Sequence, residues 1–80
     1  MAEVEAGEVK RRVVEVLRSA GRPLEVGEIA EALEWRGDLR PLRRVLAGLV
    51  REGVVLRVPD YERRRMVYML AGGGGSGSQA

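Results

Sequence analysis

In Pro59–Leu70, PDYERRRMVYML, three consecutive arginines, Arg63, Arg64 and Arg65, stand between a turn and an alternating apolar run. Arg57 lies just before them, and Arg40, Arg43, Arg44 and Arg51 fall within a preceding helical pattern. A guanidinium is planar, always charged and carries five N–H donors, which suits it to a phosphate or to the O6/N7 edge of guanine. Other chemistries find little to work with. There is no His and no Cys, so imidazole proton shuttles, thiolate metal sites and disulfides are excluded. No Ser/His/Asp or Cys/His set exists. GGGGSG in the last ten residues has no strand–helix context for holding a phosphate. Glu31 and Glu34 share a polar helix face without an apolar pocket to raise a carboxyl pKa. We therefore expect no catalysis, no cofactor, no metal and no small-molecule ligand. The arginines carry the signal.

They are unevenly placed. The 80-residue chain has a net charge of +2, from 14 basic and 12 acidic side chains. Residues 1–35 hold five basic and eight acidic side chains, and residues 36–65 hold nine arginines against four acids. A basic half on so small a domain is the electrostatic footprint of a polyanion partner. Arginine outnumbers lysine 13 to 1, and Asn and Thr are absent, as a GC-rich or heat-adapted source would give. No apolar run nears the roughly 18 residues needed to span a bilayer. The acidic start MAEVEAGEVK lacks a signal-peptide core, so the expected location is cytoplasmic, at the nucleoid in a prokaryote.

Hydrophobic periodicity supplies the elements that must position the arginines. Val9, Val13, Val16, Leu17 and Ala20 share one face of a first helix, which Gly21 and Pro23 stop. Arg22–Leu24 reads as a short edge strand. Ile29, Ala30 and Leu33 give a second helix, opened by Glu25 and Glu28 at capping-box spacing. Asp38 is the expected N-cap of a third helix, with Leu42, Val45, Leu46, Leu49 and Val50 as its apolar stripe and Gly53 as its end. The period then drops to two over 54–58 and 65–70, predicting a β-hairpin with a loop longer than two residues. The organisation expected is an acidic segment at 1–7 extending the first helix, a folded domain at 8–71, and a flexible Gly/Ser tail at 72–80.

The order helix, short strand, helix, helix, hairpin resembles the winged helix-turn-helix superfamily over residues 8–71. The stretches that carry the resemblance are GRPLEVGEIAEAL, VLAGLVREGVV and RRRMVYML. It implies a small α+β domain whose third helix enters the major groove of double-stranded DNA while the hairpin wing touches the backbone. EWRGDLR, between the second and third helices, is longer than a minimal helix-turn-helix turn. A looser similarity, to a winged-helix protein of the small ribosomal subunit, lacks that family's basic N-terminal arm.

With Leu42, Leu46 and Leu49 inward, a 100° step puts Arg40, Arg44 and Arg51 outward around Ala47, with Arg43 beside them. These four, with Arg57, Arg63, Arg64 and Arg65 on the hairpin, are the candidate nucleic-acid contacts. Solvated helix charges and edge-strand protection are the plainer alternatives. Trp35 is expected to plug the gap beside the turn between the second and third helices, Tyr68 to join the core with Met66 and Leu70, and Gly48 to permit close packing or a close approach to a groove. The function expected is that of a DNA-binding regulator or chromatin-associated protein, with RNA as a further partner. The alternative is a protein-interaction or ribosomal winged helix in a larger assembly. A homodimer through the first helix, using Val4 and Val14, is the expected oligomer.

Overall fold

The computed structural model describes residues 6–71. Three helices come first: α1 (Ala6–Ala20), α2 (Val26–Leu33) and α3 (Arg40–Arg51). An antiparallel hairpin follows, of β1 (Val55–Asp60) and β2 (Arg65–Leu70). This is an α+β domain with the layout of a winged helix. Among the described residues, no helix is long and apolar enough to cross a membrane. The readings of 1–5 and 72–80 lie outside the described residues. The described span of the first helix starts at Ala6, two residues ahead of the expected domain edge.

One core unites the elements. Val9, Val13 and Leu17 from α1 meet Ile29 and Ala30 from α2, and Leu42, Leu46 and Leu49 from α3. Val55 and Tyr68 close the core from the hairpin. Leu24 forms a single antiparallel bridge to Tyr68, with the Leu24 N–H donating to the Tyr68 carbonyl at 2.9 Å and the reverse bond at 2.7 Å. The edge strand expected after α1 is thus one bridge. Burying so many aliphatic groups, each worth about 1.5–3 kcal/mol, drives the collapse.

The second strand falls on the expected 65–70 with Tyr68 in the core, whereas the first runs 55–60 instead of 54–58 and turns Val55 rather than Leu56 inward. Val55 is fully buried, whereas Leu56 is 43% exposed and Met66 38% exposed. The pairing places Val55 opposite Leu70 and Arg57 opposite Tyr68, so these share the face turned to the helices at the base of the hairpin. On the other face Val67 is buried beside Arg22, Pro23 and Val58. Met66 is therefore not core. Ala20 is exposed as well, and Val14 packs against the core, so Val14 is not left over for a partner.

Every helix ends in a left-handed residue. Gly53 (φ 81°) closes α3 in a Schellman turn: the Val54 N–H donates to the Leu49 carbonyl and the Gly53 N–H to that of Val50. Glu34 does the same for α2 at φ 57°, with the Trp35 N–H donating to Ala30 and the Glu34 N–H to Glu31. The six residues 34–39 that follow swing the chain into α3. Trp35 half-buries its ring there, and its Nε1–H donates to the Asp38 carbonyl at 2.9 Å, which fixes the long turn.

Candidate nucleic-acid interface

The outward face of α3 is built by its own stripe. Sinking Leu42, Leu46 and Leu49 leaves Arg40, Arg43, Arg44, Ala47 and Arg51 exposed. The N-cap of α3 is Leu39, one residue later than expected. Asp38 acts from just outside, its Oδ1 accepting the Arg40 backbone N–H at 2.9 Å. The same carboxylate takes the Arg40 guanidinium, with Nε at 3.1 and 3.0 Å from its two oxygens and Nη2 at 2.9 Å. That guanidinium and the Arg40 N–H hold the Asp38 carboxyl below its ordinary range. Arg40 is thus already matched with an anion. By contrast, Arg43, Arg44 and Arg51 make no ion pair with any of the described residues.

Gly48 lies on the flank of α3 turned to α1. Its nearest neighbour is the Lys10 stem, whose Cε would stand 3.8 Å from an added Cβ. Lys10 then pairs with Glu52 past the end of α3. The close approach expected of Gly48 is therefore to Lys10, and it pins α3 against α1.

The hairpin divides its arginines. Asp60 Oδ1 accepts the N–H groups of Glu62 and Arg63, and the Arg64 N–H donates to the Asp60 carbonyl at 2.7 Å, closing the loop 61–64. Arg64 turns the corner at φ 59° and, with Arg57, makes no ion pair among the described residues. Arg63 and Arg65 instead reach back to the start of α2. Arg65 Nη1 pairs with Glu25 Oε1, and Arg63 lies 3.5 Å from Glu25, 3.6 Å from Glu28 and 3.8 Å from Asp60. Glu25 above all, and Glu28 to a lesser degree, raise the Arg65 pKa still further. The three-arginine run is not one outward brush.

A cleft between α2, α3 and the hairpin gathers residues that the sequence keeps far apart. Arg43 from α3, Arg57 from β1 and Arg65 from β2 line it, with Glu25 as its one acid. Sequence reasoning gave Glu25 and Glu28 a capping role. That holds, since the Glu28 carboxylate accepts the Glu25 N–H at 3.0 Å. Their contacts with a hairpin some 40 residues on carry no periodic signal and were missed. No family model, curated protein or solved structure matches the chain. The geometry therefore stands alone.

A second concave surface lies between α1 and the long turn. Val9, Leu33 and Trp35 floor it, and Arg12, Glu34 and Arg36 rim it. Its mixed charge sets it apart from the α3 face. Tyr61, 83% exposed, caps the hairpin loop. Among the described residues no group of acidic side chains is arranged to hold a metal ion.

Proposed function

We propose that this chain is a nucleic-acid-binding module of the winged helix-turn-helix superfamily that docks on double-stranded DNA as a regulator or chromatin-associated protein. The observation that supports it is the set of uncompensated arginines on adjoining surfaces: Arg43, Arg44 and Arg51 on α3, and Arg57 and Arg64 on the hairpin. A surface evolved only for solubility would intersperse acids at i±4 on α3, and that face has none. Ala47, central on the outward face, lets the helix approach a groove closely.

In this reading α3 enters the major groove, and Arg57 and Arg64 meet phosphates beside it. Arg40, Arg63 and Arg65 contribute only after leaving their carboxylates. α3 offers no Asn, Gln, Ser or Thr, so base readout rests on arginine at guanine and sequence preference is weak. A protein-interaction module is the second reading, favoured by Leu56 and Val54, which leave an apolar edge exposed on the hairpin.

Titration of duplex DNA, single-stranded DNA and structured RNA across a range of salt concentrations tests the proposal. The expected result is duplex binding whose log Kd rises linearly with log salt, at about 0.9 per phosphate contacted. Salt-independent binding, or none to any nucleic acid, moves the account to the protein-interaction reading. Sedimentation equilibrium settles the homodimer, which rests on the two-fold symmetry of many operator sites.

A further inference from the structure

Three arginines facing one cleft need an anion, and the free protein supplies a single one. We propose that the cleft between α2, α3 and the hairpin is a binding site for one backbone phosphate, and that Glu25 holds that place until nucleic acid displaces it. The inference rests on the nucleic-acid reading above and adds a gate to it.

The contacts carry the argument. Arg43, Arg57 and Arg65 come from three different elements and line one concavity. A carboxylate and a phosphodiester both offer two oxygens to a guanidinium, so one can replace the other at Arg65 without rebuilding the site. Glu25 is also a poor choice for an N-cap, where Ser, Thr, Asp and Asn are preferred. None of those shorter side chains has its reach. The extra length is used on the hairpin, where Glu25 pairs with Arg65 and stands 3.5 Å from Arg63. The pair sits at a rim, with the Arg65 side chain 60% exposed, so an incoming anion has access to it. Glu28 keeps the hairpin in place during the exchange, because its carboxylate stands 3.6 Å from Arg63 and is held by the Glu25 backbone N–H rather than by the Glu25 side chain. Glu25 leaves the cleft while the wing stays tethered.

Two variants test this. Glu25→Gln keeps the side-chain length without the charge, and Glu25→Ser keeps a strong N-cap without the reach. Each is checked for folding by thermal unfolding and an amide spectrum. It is then titrated with a duplex of about 20 base pairs over a salt series, and with inorganic phosphate while the Nε–Hε signals of Arg43, Arg57 and Arg65 are followed. Both variants should bind duplex roughly tenfold tighter than the parent at low salt with the parent's salt slope, because the same phosphates are contacted once Glu25 has left the cleft. Phosphate should move all three arginine signals further in the variants than in the parent. Adding Arg65→Ala to Glu25→Gln should cancel the gain. Duplex affinity unchanged by both substitutions in a parent that binds, or arginine signals that ignore phosphate in both variants, overturns the gate. If no protein binds duplex but phosphate still moves the three signals more in the variants, the cleft stands as an anion site and the DNA reading falls.

Discussion

Arg64 holds a backbone conformation that costs a residue with a Cβ about 1–2 kcal/mol, at φ 59°. A position chosen for stability alone would carry Gly, Asn or Asp. Arg64→Gly should therefore raise unfolding stability by about 1 kcal/mol and, by removing one phosphate contact, flatten the salt slope of duplex binding by about 0.9. Calorimetry and anisotropy check the two halves; a stabilised protein with an unchanged slope would leave Arg64 as a turn residue only. Glu28 makes a second residue-level case. The Glu25 N–H, then Arg22 and Arg63, hold its carboxyl below the ordinary 4.5 against an opposing effect of burial. A depressed folded value gives stability that is complete above the unfolded value and is lost as pH falls through the folded one. The parent should thus lose stability more steeply than Glu28→Gln from about pH 5 downward. Parallel pH profiles in denaturant unfolding would contradict this.

At the scale of elements, periodicity made the helices and the hairpin legible because their faces must be apolar to be buried. Val9, Val13 and Leu17, and Leu42, Leu46 and Leu49, recur at helical spacing and all lie in the core. Ends and phases were less legible. β1 reads Val-Leu-Arg-Val, with apolar residues on both faces, so spacing alone could not choose Val55 over Leu56 for the interior. The end of α2 carries Glu34 where the left-handed position favours glycine. Glu34→Gly should raise stability by about 0.5–1 kcal/mol, read by denaturant unfolding, and no gain would mean that Glu34 is compensated in the turn. Leu46 lies wholly inside at the centre of the shared core. Leu46→Ala should cost about 2–5 kcal/mol, a large share of what a domain this size possesses. A loss under about 1 kcal/mol would mean that the core collapses around the cavity.

At the scale of the whole molecule, charge is sorted between surfaces rather than balanced across them. The sequence displayed the basic half and identified the arginines, but it could not separate those free of carboxylates from those held by them. Arg40 is claimed by Asp38, two residues away, and Arg63 and Arg65 by Glu25 and Glu28, some 40 residues back. That second pairing exists only because the hairpin folds over the start of α2. The central claim is that the uncompensated arginines of α3 contact phosphate or base edges. It is tested most directly by the salt dependence of duplex binding in an Arg43→Ala/Arg44→Ala/Arg51→Ala variant whose fold is confirmed by its amide spectrum. The account predicts a slope lower by about 2–3 units and an affinity reduced at least tenfold at low salt. A folded triple variant that binds duplex with the parent's affinity and slope would contradict it.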